Sequence, residues 1–297
     1  MRTKISKADL DNDLLYDTLS ALYKVLSHFG VPVYVVGATA RDITMKLIDE
    51  DEARRRTFDL DVAIAIPDWD MFDKIQEQLL ENHFSKSTAK QKFIYNGEND
   101  DNSYEVDIVP FGGVAVDEEI RWRPDGTPVM SVKCFNDVMA KAIDILIGEV
   151  PIRIATLCGQ FLIKLDAWLD RNDRTSKDAY DMLYILSKYY YAKLLQPDAQ
   201  IPDDVDFNEE DNTDGQIIYG SMWLASDLRQ VLSTEHLKYY VEIISNEVAQ
   251  GPDSRLLQHF INHMDIDDDN NYDNILKVWS NIKRILNDEL AKRKNEG

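Results

Sequence analysis

From Thr57 to Ile66 every second residue is apolar: Phe58, Leu60, Val62, Ile64 and Ile66. A period of two predicts a strand with one buried face. Asp59, Asp61, Ala63 and Ala65 share the opposite face. Asp is a poor strand former, and two like charges on one face repel. Side by side, the two carboxylates are within reach of one divalent cation, and Mg²⁺ is the simplest compensator. Taken alone, the Asp-x-Asp pair also reads as the solvated face of an edge strand.

Length and charge narrow the classes. At 297 residues, 44% of them hydrophobic, the chain can form one large domain or two modest ones. Its formal charge of −21 repels polyphosphate at long range, which argues against a broad grip on duplex DNA. Arg54, Arg55 and Arg56 form a local basic spot. Cys134 and Cys158 lack metal-ligand spacing and sit among apolar residues, so they read as reduced core thiols of a cytosolic protein. The N-terminus has no apolar signal core, and no apolar run approaches the ~20 residues of a membrane span. The expectation is a soluble, cytoplasmic protein without membrane association.

In chain order, residues 8–29 carry helical spacing and Gly30 supplies the stop. Pro32 to Val36 reads as a buried strand that turns at Gly37 into a helix over 38–48. Backbone N–H groups at such a helix start can receive an anion, and Gly37 lets a phosphate approach closely. Arg41 and Asp42 fall on the first turn of that helix. Asp68 is placed to cap a helix bearing Trp69, Phe72, Ile75, Leu79 and Leu80. Lys92–Tyr95 and Tyr104–Val109 read as the arms of a hairpin around a polar loop. In the second arm Tyr104, Val106 and Ile108 alternate with Glu105 and Asp107, so Asp107 is a further carboxylate on a polar strand face.

A strand near 129–133, a helix over 136–147 and a short strand over 152–155 complete the first half. Helices alone follow, and the predicted boundary lies near 150. In the helix 157–169, Lys164 sits among apolar residues and must be paired, bound to an anion or snorkelled to the surface. Thr175 and Asp178 have capping-box spacing, and Asp181 shares a helix face with Asp178. The stretch 198–214 holds eight acids and no Lys or Arg, which predicts a solvated connector. Later helices are predicted over 216–231, 234–249, 253–264 and 273–293. His259 and His263 are four apart, but no Glu adjoins His259 as a metalloprotease needs. The acidic run from Asp265 starts like an EF-hand, yet Asn270 and Leu276 stand where Gly and Glu are required.

The ordered set is a Gly turn, two Asp on one strand, a third Asp on a nearby strand, then a buried Lys and an Asp pair on helices. Three carboxylates on adjacent strands suit Mg²⁺ ions that clamp a nucleoside triphosphate. Phosphoryl or nucleotidyl transfer needs mainly positioning and charge neutralisation. This order resembles that of the DNA polymerase β-like nucleotidyltransferase superfamily. Gly37 to Asp42, Arg56 to Asp61, Val106 to Gly113, Leu162 to Arg171 and Lys177 to Asp181 look like the AbiEii/AbiGii toxin family of nucleotidyltransferases, MenT-like toxins included.

The resemblance implies an α+β fold: a nucleotidyltransferase core of a small mixed β-sheet with flanking helices over 1–150, and an all-helical domain over 151–297, with the site between them. It implies Asp59, Asp61 and Asp107 as metal ligands, Asp107 also helping to deprotonate the acceptor hydroxyl. Gly37 and Ala38 would hold the triphosphate, Lys164 would contact phosphate, and Asp178 would complete the last motif. Arg41 and Arg56 are additional phosphate contacts on this reading. Ala38 stands where the superfamily usually has Ser or Gly, so one hydroxyl contact is missing. The implied activity is Mg²⁺-dependent transfer of NMP from an NTP to a hydroxyl acceptor such as tRNA, as a toxin with a cognate antitoxin protein. A small-molecule, aminoglycoside-like nucleotidyltransferase is the alternative enzyme, favoured by the acidic charge. A non-catalytic nucleotide-binding module is the alternative without chemistry, and it gives Asp107 no purpose.

Overall fold

A computed structural model of the chain describes residues 3–10, 12–48, 59–97, 103–207, 215–264 and 270–296. The chain divides into two compact units, Met1–Thr156 and Leu157–Gly297.

In the first unit the elements run β1 (Lys4–Ile5), α1 (Asp13–His28), β2 (Tyr34–Val36), α2 (Gly37–Ile48), β3 (Asp59–Ala65), α3 (Trp69–Glu81), β4 (Phe84–Lys86), β5 (Lys92–Asn96) and β6 (Ser103–Phe111). They continue with β7 (Glu119–Arg121), β8 (Val129–Ser131), α4 (Phe135–Met139), β9 (Ile143–Ile147) and β10 (Val150–Ile154). Among the described residues, eight strands form one mixed sheet in the order β1-β9-β10-β2-β3-β6-β5-β4, and β7 pairs with β8 apart from it. β3 runs parallel to β6 and antiparallel to β2, while β5 and β6 form the expected hairpin.

Alternation in β3 holds for its apolar face, while Ala63, expected on the opposite face with the acids, is buried as well. Leu60, Val62 and Ile64 are fully buried, and so are Val106 and Ile108 of β6 beside them. Helix α1 lies against β6 and β10 and touches α3, adding Leu19, Leu22, Leu26, Phe72 and Ile75 to this core. Asn12 caps α1 through Leu14 and Leu15, and Asp68 caps α3 through the Met71 N–H at 2.8 Å. Leu80 of α3 points outward and is exposed, unlike its apolar neighbours. Pro110 in β6 causes no gap in the ladder. The Ile108 N–H reaches Gln91 at 2.8 Å beyond the end of β5, so two residues later that edge has no partner strand to serve.

Two readings of this region need correction. The helix predicted over 136–147 exists only as α4, and its second half is the strand β9. Ile143, Ile145 and Ile147 alternate and are β-branched, and Gly148 at φ +59° starts a two-residue turn that pairs Ile147 with Val150. The boundary near 150 would cut β10, which is bonded to both β9 and β2; the division falls at 156/157 instead.

The second unit contains α5 (Leu157–Arg171), α6 (Lys177–Leu194), α7 (Gly215–Val231), α8 (Thr234–Gln250), α9 (Arg255–Ile261) and α10 (Asn271–Glu296). Its core holds Phe161, Trp168, Tyr240, Phe260 and Trp279, with the Phe260 and Trp279 rings 5.3 Å apart. The described part of the acidic connector is docked rather than solvated throughout. Val205 is buried, Asp204 pairs with Arg229 at 2.8 Å, and the Phe207 ring lies 4.7 Å from Tyr219. The EF-hand-like run 265–269 lies outside the described residues. Among the described residues no helix is long and apolar enough to cross a membrane.

The burial of the β3 face gives a direct test. Leu60→Ala is expected to lower the unfolding free energy by about 2–5 kcal/mol in urea titration, and a loss below about 1 kcal/mol contradicts the placement of that face.

Candidate active site

Register on the sheet brings the acids together. Asp61 of β3 stands opposite Asp107 of β6, and Asp107 stands opposite Lys92 of β5. On the other side Val36, the last residue of β2, pairs with Asp61. One row therefore reads Val36, Asp61, Asp107, Lys92 across four strands. Neighbouring strands are about 4.8 Å apart, so the Asp61 and Asp107 side chains leave the sheet as immediate neighbours. Asp59 lies one step along the same face, opposite Glu105. Four carboxylates thus form a two-by-two block with one lysine at its border.

The block is not a closed metal cage. Among the described residues, no three His, Cys, Asp or Glu side chains converge closely enough to hold an ion by themselves. What does fit a cation is the pair at its centre. Asp107 Oδ1 is buried and has no hydrogen-bond partner, an expensive state for a carboxylate oxygen unless a ligand completes it. Lys92 Nζ is 3.9 Å from that oxygen, too far for a hydrogen bond, and is held by Glu105. Mg²⁺ commonly takes one or two carboxylates and fills its remaining positions with water and substrate phosphate, so a pair of neighbouring carboxylates suits it.

Gly37 explains how the pair is approached. Its φ is +66°, and a Cβ added there would lie 2.0 Å from Asp61 Oδ2. Only glycine lets the start of α2 come this close to the carboxylate. Residue 37 is thus required by Asp61 itself, beyond the phosphate approach expected from the sequence. Thr39 fastens the helix to the strand, its hydroxyl donating to the Asp59 carbonyl at 3.0 Å. Ala38 follows Gly37 on the first turn. Arg41 is buried and its Nε lies 3.2 Å from Asp42 Oδ1. Arg56 lies outside the described residues.

The electrostatics follow from this packing. Burial pushes the Asp107 carboxyl above its ordinary range; Lys92 opposes the shift, and Asp59 and Glu105 add to it. The Lys92 ammonium is raised, first by its bond to Glu105 and then, against some desolvation, by Asp107, Glu105 and Asp59. Burial, with Asp59, Asp42 and Asp61 nearby, pushes the Tyr104 hydroxyl up to about 12.

Lys164 and Asp178 belong to the second unit. Lys164 Nζ sits 2.7 Å from Asp181 and 3.7 Å from Asp178, so this largely buried lysine is paired within its own unit. Asp178 is fully buried and grips the Arg171 guanidinium with both oxygens, each bond 2.7 Å long. The capping box does not form: α6 begins at Lys177 with Ser176 at the N-cap, and the Thr175 hydroxyl accepts only from the Lys177 N–H. The Asp178 carboxylate is occupied by Arg171, a stronger charge-assisted partner than a backbone N–H. His259 and His263 serve separate contacts. Trp168 Nε1 donates to His259 Nδ1 at 3.1 Å, and His263 Nε2 lies 3.0 Å from the Ser176 hydroxyl.

Sequence reasoning missed Lys92 and Arg171 and gave Glu105 no role. The two-residue spacing of Glu105 and Asp107 was a usable signal for a second acid on that face. The pairing of Lys92 with Asp107 was not readable, because a long polar loop leaves hairpin register open. An open groove of about 460 Å³, lined by Tyr23, Val33, Ile152 and Arg153 among others, includes none of the expected site residues.

No family model matches the sequence, and no curated protein matches it. Among solved structures, the chain is similar to an antigenic nucleotidyltransferase-like protein from Paracoccidioides brasiliensis. The two are 16% identical, the match covers 74% of this chain and 88% of that one, and the TM-score is 0.39.

The raised Asp107 carboxyl carries a stability cost with a definite sign. Between the ordinary value of 3.8 and the raised one, the unfolded chain loses this proton first, so stability falls as pH rises. Asp107→Asn, neutral throughout, is therefore expected to be more stable than the parent at pH 7 in EDTA, with the gain vanishing in acid below about pH 4. Urea titration at both pH values checks this, and a variant less stable at pH 7 contradicts it.

Proposed function

We propose that the protein catalyses nucleotidyl transfer from a nucleoside triphosphate to a hydroxyl acceptor. The observation that carries this reading is the registered pair Asp61 and Asp107, with the buried Oδ1 of Asp107 lacking a hydrogen-bond partner and the start of α2 against Asp61. Asp61 and Asp107 would hold Mg²⁺, with Asp59 on the same face, and the bound ion would supply neutralisation of phosphate charge.

The chain's own groups account for the rest. Backbone N–H groups at Gly37 and Ala38 open α2 and can receive phosphate oxygens. Asp107 takes the proton of the acceptor hydroxyl. The hydroxyl oxygen bonds to the α-phosphorus, the bridging α–β oxygen bond breaks, and pyrophosphate leaves with the electron pair. On this reading Lys164 contacts phosphate and Asp178 completes the last motif, and their bonds to Asp181 and Arg171 set the cost of freeing them. Arg41 and Arg56 are further phosphate contacts, Arg41 giving up Asp42 to act.

The acceptor is tRNA on the family resemblance, and a toxin role with an antitoxin partner rests on that resemblance alone. The formal charge of −21 favours a second acceptor class, a small cationic molecule with a free hydroxyl, because long-range repulsion works against RNA and attracts a polyamine-like substrate.

α-³²P-labelled NTPs incubated with Mg²⁺ and either total tRNA or an aminoglycoside test the reading. Label is expected to enter one acceptor, and Asp61→Asn or Asp107→Asn is expected to lower kcat/KM by roughly 10²-fold or more. Transfer that survives both substitutions within threefold removes these residues from the chemistry.

A further inference from the structure

We propose that Lys92 is a positioning residue of the acidic site, a resident counter-cation that a divalent ion must share Asp107 with. The inference rests on the metal-binding reading of Asp61 and Asp107 given above.

The argument begins with charge. Asp59, Asp61, Glu105 and Asp107 lie on one face of two adjacent strands, with like charges opposed in both pairs. Such pairs are destabilising in a sheet. Lys92 stands in the Asp61–Asp107 row, on the next strand out. Its ammonium is bonded to Glu105, and this bond sets the reach of the side chain. The tether places Nζ 3.9 Å from Asp107 Oδ1, near enough for strong attraction and too far to satisfy that buried oxygen. Lys92 therefore offsets part of the block's charge from its border while leaving Asp107 Oδ1 without a hydrogen bond. A lysine bonded directly to Asp107 would block an incoming ion. A lysine absent from the row would leave Glu105 and Asp107 without this opposing charge before any ion arrives.

This arrangement makes an opposite-sign pair of predictions. Removing the Lys92 charge deepens the negative potential where a cation binds, so divalent affinity should rise. Removing the Glu105 charge frees Lys92 to bond Asp107 and lessens the negative field, so affinity should fall. A salt bridge with only a structural role would leave cation affinity unmoved when it is broken from either side.

Mn²⁺ titration without nucleotide, followed by electron paramagnetic resonance of the free ion, reads this directly. Lys92→Met is expected to bind Mn²⁺ roughly three- to tenfold more tightly than the parent at low ionic strength. Lys92→Arg is expected to restore the parent affinity, and Glu105→Gln to weaken binding by a similar factor. Melting curves in EDTA establish that each variant is folded, and Glu105→Gln carries the test if Lys92→Met does not fold. If the parent binds Mn²⁺ and loses it in Asp61→Asn, while Lys92→Met and Glu105→Gln bind as the parent does, the positioning role is overturned and the metal reading stands. If the parent binds no Mn²⁺, both fall together.

Discussion

Parallel pairing of β3 with β6 is the constraint on which the first unit depends. It sets Leu60 beside Val106 and Val62 beside Ile108, all fully buried, and the same register necessarily sets Asp61 beside Asp107 on the reverse face. A slip of one residue would send the apolar set to the other face, so the hydrophobic core fixes the acids as neighbours. The repulsion between them is outweighed by burial at roughly 25 cal/mol per Å² of apolar surface. Lys92 at the border of the row and Gly37 against Asp61 then adapt the surroundings to a carboxylate pair that the core has already imposed.

The second unit handles buried charge differently. Asp178 has no exposed surface, and the planar fork of Arg171 saturates both of its oxygens. Lys164 is divided between Asp178 and Asp181. Removing one member of such a network leaves an uncompensated charge and typically costs about 3–5 kcal/mol. Both Asp178 oxygens are bonded, whereas Asp107 Oδ1 in the first unit is buried without a hydrogen-bond partner.

Much of this was legible in the sequence because alternation and helical spacing report burial, and burial governs these elements. The β3 strand and the helical second half follow from that one principle, while the Asp68 cap and the hairpin follow from capping and turn chemistry. β9 was missed because Ile143 to Ile147 is too short for periodicity to separate strand from helix, and only the Gly148 turn tips the balance. Lys92 escaped because its role depends on hairpin register. The role of Gly37 against Asp61 depends on two strands separated by more than twenty residues meeting at their ends, which no local pattern encodes. Of the outcomes open to Lys164, pairing is the one the structure shows, with Asp181 at 2.7 Å and Asp178 at 3.7 Å.

The central claim is that the face shared by β3 and β6 binds a divalent ion between Asp61 and Asp107. Anomalous diffraction from crystals grown with Mn²⁺ and a non-hydrolysable NTP tests it most directly. The account predicts a Mn²⁺ peak within about 2.0–2.3 Å of an oxygen from each of these residues, with triphosphate oxygens completing the shell. A nucleotide bound with its metal elsewhere, and no peak on that face, would contradict it.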